Sequence, residues 1–132
     1  MSVKVYLSKR YQLPALHQLK NERFSEEKNL KTFGACSRLH GHSYEIEVTV
    51  AGELDPGSGL LISGDELDRI VRSYIIDPFI GTNLSNHFSH TTGEALAIEF
   101  YGLLSERFSP PTFLSKLTVN ETAKNSFTVA RG

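Results

Sequence analysis

The chain has 132 residues, 39% hydrophobic and 22% charged, with Lys+Arg 14 against Asp+Glu 15 for a formal net charge of -1. That is the length of one domain, read as 1–132, and it suffices to bury about two-thirds of the surface the unfolded form exposes. The composition excludes a disordered chain, the lack of a basic field argues against nucleic acid or a membrane surface as partner, and a lone cysteine rules out an intrachain disulfide framework.

The N-terminus shows no charged-then-apolar leader and no stretch approaches about 18 apolar residues, so the expected setting is a reducing cytoplasm. Residues 2–7 alternate, with Val3, Val5 and Leu7 on one side, which predicts a half-buried strand. Leu13, Ala15, His17 and Leu19 continue the period. Pro14 interrupts it, and having no N–H for a ladder it predicts an edge strand or a bulge. Residues 20–35 are polar and read as a surface loop with at most one short helical turn; a loop that long in a compact domain is often functional.

His40, His42, Tyr44, Ile46, Val48 and Val50 then share one face of a strand, with Ser43, Glu45, Glu47 and Thr49 on the other. Asp55-Pro56-Gly57 with Gly59 is turn chemistry, and Leu60-Leu61-Ile62 reads as a short return strand completing a hairpin. Ser63 and Glu66 form a capping box for a helix whose apolar stripe is Leu67, Ile70, Val71, Tyr74 and Ile75, ended by Asp77-Pro78. After a loop from Phe79 to His90, a second capping box, Thr91 with Glu94, opens a helix that buries Leu96, Ala97, Phe100, Leu103 and Leu104 before Pro110-Pro111. Strands around 113–121, with Leu117, Val119 and Glu121 on one face, and 126–130 close the chain. The order predicts an α+β fold, an antiparallel sheet with helices on one face.

His40-Gly41-His42 is the sharpest local feature. Alternate residues of a strand point the same way, so both imidazoles leave one face, roughly 7 Å apart at their Cα atoms. Two imidazoles can share one zinc, and a third would make a catalytic-type site with an open fourth position; His17, inward by the parity of its strand, is the natural candidate. The competing reading is a set of hydrogen-bonded core histidines, which would be costly to desolvate without a metal. Cys36, four residues before His40 and near Arg38, has three readings: a base or nucleophile activated by neighbouring positive charge, a fourth metal ligand in a closed site, or a small buried hydrophobe.

Cys36-Ser37-Arg38-Leu39-His40-Gly41-His42-Ser43-Tyr44, preceded by His17 and followed by Asp55-Pro56 and Ser58-Gly59, resembles the 6-pyruvoyl-tetrahydropterin synthase and 6-carboxytetrahydropterin synthase family. The segment from Ser25 to Cys36 resembles its animal branch, while the short Cys-to-His-Gly-His spacing is similar to the bacterial, queuosine-pathway branch. Thr92-Gly93-Glu94-Ala95-Leu96-Ala97 and Val119-Asn120-Glu121-Thr122 resemble two further family segments, so the likeness runs in order from about residue 11 to the C-terminus. It implies the tunnelling fold, a four-stranded antiparallel sheet with two helices, assembling through a barrel-forming trimer into a hexamer. His17, His40 and His42 would bind Zn2+. Glu121 would accept hydrogen bonds from the 2-amino and N3–H edge of a pterin, with Thr92 and Glu94 lining the same pocket at a subunit interface. Cys36 would be the general base or proton shuttle, and the substrate would be 7,8-dihydroneopterin triphosphate, with Lys28, Lys31 and Arg38 nearby as candidates for its phosphates. Glu94 and Thr92 are equally explained as first-turn helix residues.

One part of the family pattern is broken. The family's Asp-His pair before Asn-Leu falls here on Ile80 and Gly81, ahead of Asn83-Leu84, and neither can move a proton. General acid–base help is typically worth about 10²–10⁴ in rate. Either His87 or His90 in the same loop takes over the relay, or the protein is a pterin-binding homologue with changed or lost activity; a zinc hydrolase using Glu121 or Glu94 as base is the third reading.

Overall fold

The computed structural model describes residues 3–132. The elements run β1 (Val5–His17), α1 (Glu26–Phe33), β2 (His40–Gly52), α2 (Gly64–Val71), α3 (Asp77–Phe79), α4 (Gly93–Leu104), β3 (Phe113–Asn120) and β4 (Ser126–Ala130). The four strands form one antiparallel sheet in the order β1-β2-β3-β4. Its inner face (Tyr11, Leu13, Tyr44, Ile46, Val48, Leu117, Val119) meets Leu67, Ile70, Val71, Ile75, Leu96, Ala97, Phe100 and Leu104 of the helices in one core. The α+β expectation holds, and the period-two residues of β2 from Tyr44 onward are buried as the alternation requires. None of the described helices is long and apolar enough to cross a membrane.

The two predicted strand pieces at 2–7 and 13–19 are a single strand, Val5–His17; residue 2 lies outside the described residues, Val3 lies before its start and Leu19 past its end. Val3 and Leu7 are exposed rather than half-buried, because the helices cover the sheet only from Tyr11 onward. Pro14 sits on an edge strand as expected: the N–H of Leu16, on the same parity, points away from β2 to the carbonyl of Thr82, so the missing N–H of Pro14 costs no ladder bond.

Three other expectations are corrected. The stretch 20–35 is not mainly loop: Ser25 caps α1 by accepting from the N–H of Lys28, and a 3₁₀ turn over Gly34–Ser37 follows. There is no return strand at 60–62. The turn closes through Asp55 N–H to Leu60 O at 2.9 Å, the carbonyl of Leu61 is taken by the Thr112 hydroxyl, and β2 already has β1 and β3 on its two sides. Nor does Asp77-Pro78 stop the helix. A π turn over Arg72–Ile76 links α2 to α3, and the Asp77 N–H reaches Arg72 O, so the chain turns through Pro78 to Phe79.

Candidate functional site

The ends of β1 and β2 bring three imidazoles together. His17 is paired directly across from His40, and Ala15 from His42, so antiparallel register converts a spacing of 23 residues into adjacency. The ligand nitrogens of His17, His40 and His42 all lie within 4.8 Å of one another. His17 is fully buried and His42 is partly exposed.

Second partners fix the orientation of two of these rings. His17 Nδ1 lies 3.0 Å from Thr91 O and His40 Nδ1 lies 2.7 Å from Arg38 O. A carbonyl only accepts, so each ring carries its hydrogen on Nδ1 and turns a lone pair inward from Nε2. Those two Nε2 atoms are 2.7 Å apart. Two facing lone pairs repel, and the pair becomes favourable only with a positive centre between them. A proton is a poor candidate at neutral pH: burial pushes the His17 pKa down to about 4, the Thr91 bond opposing and the charges of His40 and His42 adding to the fall. The donor set therefore fits a divalent metal, with backbone carbonyls in the outer shell that metal-bound histidines usually have.

Glu121 follows β3 and borders the cluster, its Oε1 at 3.7 Å from His17 Nε2 and 3.6 Å from His42 Nε2. β3 ends where Asn120 pairs with Glu45, the neighbour of Tyr44, and this brings Glu121 near Tyr44. The Tyr44 ring stands at 87° to His17 with centroids 5.6 Å apart, and 5.3 Å from that of His42. Its hydroxyl is buried with no hydrogen-bond partner among the described residues. Burial first, then the neighbouring Glu121 and Cys36, hold its phenol pKa well above the ordinary value. Cys36 thus lies near the cluster; it is half-buried, in the 3₁₀ turn whose backbone is tied to β1's continuation by Leu19 N–H to Cys36 O at 2.8 Å.

The remaining predicted residues fall around this centre. Thr92, not Thr91, is the N-cap of α4: its hydroxyl accepts from the N–H of Ala95, whereas Thr91 is buried and gives its carbonyl to His17. The predicted capping box is thus shifted by one residue. Glu94 is exposed in the first turn of α4. His90 lines a cavity of about 330 Å³ with Gln18, Phe33, Phe88 and Thr92, while His87 stands edge-on to Phe79 at 5.1 Å. Ile80 is exposed, and Gly81, at φ 71, donates its N–H to Pro14 O. Lys28 lies over the Phe24 ring and Lys31 pairs with Glu27. Sequence reasoning missed the Thr91 and Arg38 carbonyls, for which backbone groups leave no sequence signal, and Tyr44, whose phase with His40 and His42 was the available clue.

Against known proteins, the family model described as 6-pyruvoyl tetrahydropterin synthase matches residues 6–132. The chain is similar to a human 6-pyruvoyl tetrahydrobiopterin synthase, 32% identical over 126 residues and covering 90% of this chain and 86% of that protein. It is also similar to the 6-pyruvoyl tetrahydrobiopterin synthase of Dictyostelium discoideum, 32% identical over 137 aligned positions and covering 100% and 99%. The solved structure of Caenorhabditis elegans 6-pyruvoyl tetrahydropterin synthase superposes with a TM-score of 0.88 at 31% identity, covering 98% of this chain and 97% of that one.

Proposed function

The chain belongs to the 6-pyruvoyl tetrahydropterin synthase family, and on that premise we propose that it is a zinc-dependent synthase of pterin biosynthesis that eliminates triphosphate from 7,8-dihydroneopterin triphosphate. The observation that carries this reading is the pair of Nε2 lone pairs of His17 and His40 facing each other at 2.7 Å, with His42 and Glu121 beside them. His17, His40 and His42 would hold the metal. Bound zinc would supply Lewis-acid polarisation of the oxygens on the substrate's side chain. Cys36 would take and return the proton lost from carbon. The Glu121 carboxylate would accept from the 2-amino and N3–H edge of the ring and so orient it.

Thr92 has its hydroxyl engaged as a cap, so its contribution to the pocket would be through backbone or by sharing that hydroxyl. Glu94 faces away from the core, which suits a residue that serves the pocket of a neighbouring copy. β1 and β4 are the two edges of the sheet, and pairing such edges between copies is how a barrel-forming trimer or hexamer would close. The relay would pass to His90, which lines the cavity next to Thr91, in preference to His87 on Phe79.

A second reading is supported by Ile80 and Gly81: a pterin-binding homologue with altered or lost activity. One experiment separates them. Zinc-loaded protein is incubated with 7,8-dihydroneopterin triphosphate, wild type beside Cys36→Ala. Release of triphosphate with 6-pyruvoyltetrahydropterin, lost in the variant, supports the synthase. Acetaldehyde with 6-carboxytetrahydropterin would mark the bacterial, queuosine-type branch. Binding without turnover would establish the second reading.

A further inference from the structure

Glu121 is required in two places at once. The pterin reading turns its carboxylate toward the bound heterocycle, yet its Oε1 stands 3.7 Å from His17 Nε2 and 3.6 Å from His42 Nε2. The contact with His17 is not a hydrogen bond. The hydrogen of that ring is on Nδ1 and committed to Thr91 O, so a carboxylate oxygen faces an imidazole lone pair. His40 Nε2 approaches the same His17 atom, at 2.7 Å. Electron-pair donors therefore crowd that atom.

The spacings to His17 and His42 approach those of a shared ligand sphere. Donor atoms bound at about 2.0–2.1 Å in a tetrahedron lie about 3.3 Å from one another. The Glu121 distances to His17 and His42 exceed that by only a few tenths of an ångström, while His40 lies farther from the carboxylate, so joining the sphere takes a swing of a side chain pivoting at the end of a strand. Glu121 is the first residue after β3, and its backbone is tied to the turn by its N–H to Asn125 O at 3.3 Å. Its side chain is 15% exposed, so it stands at the mouth of the centre and not inside the core.

We propose that Glu121 is a displaceable fourth donor of the His17–His40–His42 centre, closing the coordination sphere until the donor edge of a pterin draws the carboxylate away. This rests on the metal reading above and deepens it. A site with four protein donors is closed and inert, whereas catalysis needs an open position. One carboxylate serving both roles makes that opening conditional on the right heterocycle. It also keeps stray ligands off the metal between turnovers.

The test uses full-length protein loaded with Co2+, whose visible absorption reports the ligand sphere, and imidazole as a neutral probe ligand, so that removing a negative charge does not by itself favour binding. Wild type should take imidazole weakly. Glu121→Gln and Glu121→Ala, both checked for unchanged circular dichroism, should bind it about tenfold more tightly or better. Unsubstituted pterin, which has the donor edge but no side chain to reach the metal, should raise the affinity of wild type toward that of the variants and leave the variants unchanged. Equal imidazole affinity in wild type and both variants without pterin overturns the proposal while leaving the metal centre standing. Failure of wild type to bind Co2+ stoichiometrically, or full binding by His40→Ala, would instead bring down the metal reading, and this proposal with it.

Discussion

Acid should unfold the metal-free protein through His17, and the size of the effect follows from its burial. The side chain has an ordinary pKa of 6.5 in the unfolded chain and about 4 in the fold, because burial disfavours the imidazolium and the adjacent His40 and His42 oppose it further. Between those values the unfolded state binds more protons than the folded one, so stability rises with pH across the window and falls as the solution is acidified from about 6.5 toward 4. Below the folded value both states are protonated and the slope vanishes. Integration gives a loss of about 2 kcal/mol on going from pH 7 to pH 5, and about 3 kcal/mol once the window has been crossed. The assay is urea unfolding of protein stripped with a chelator, wild type beside His17→Gln, at pH 7 and pH 5. His40 and His42 remain in both proteins, so the difference between the two pH dependences isolates the buried ring. Wild type should lose about 2 kcal/mol more than the variant. An identical pH dependence in the two proteins would refute the argument that His17 is held neutral by burial.

Gly93→Ala should cost about 1–3 kcal/mol in urea unfolding, since a Cβ there would enter the ring of Phe127, and the smaller Phe127→Leu should relieve part of the loss. Thr92→Ala should cost about 1 kcal/mol through the lost cap on the Ala95 N–H, whereas Thr91→Ser, which keeps the carbonyl that holds His17, should leave the cap intact; thermal melts of the two variants distinguish the shifted cap from the predicted one. Tyr44→Phe removes a buried hydroxyl without a partner and should leave ligand-free protein equally stable or more stable by about 1 kcal/mol, read by denaturant midpoint.

The strands were legible because their side chains obey a period of two against a core on one face; β2 shows this from Tyr44 to Val48, beyond which every residue is buried. The three-histidine cluster was legible for the same reason. His17 is in phase with Leu13 and Ala15, His42 with Tyr44, and facing phases on paired strands must meet. What escaped was set by backbone groups and by packing outside the local pattern. The π turn that carries the chain through Pro78 has no signature in residue type. Residues 60–62 look like a strand, but the sheet has no free edge there to receive them, a fact of topology rather than of the triplet itself. The cap moved from Thr91 to Thr92 because two adjacent threonines are equivalent in propensity, and the tertiary demand of His17 for a carbonyl decides between them.

The same division between backbone and side chain explains how the loop before α4 can lack the Asp-His pair that the family resemblance leads one to expect, and still support the three-histidine cluster. The loop is fastened to β1 by Gly81 N–H to Pro14 O and by Leu16 N–H to Thr82 O, each at 2.8 Å, immediately before His17 in the strand. Both bonds are made by main chain. Gly81, at φ 71, suits the turn better than a branched or bulky residue would. Position 80 can therefore change identity, and position 81 can be glycine, while the loop continues to hold the end of β1 and with it the orientation of the buried imidazole. Ligand geometry and proton relay are thus separable in this fold: the first depends on strand register and carbonyls, the second on a few loop side chains. This chain keeps His17, His40, His42 and Glu121 together with Ile80 and Gly81 in the loop. Among the described histidines outside the triad, His90, one residue from Thr91, lines a cavity that Gln18 and Thr92 border and the triad itself does not.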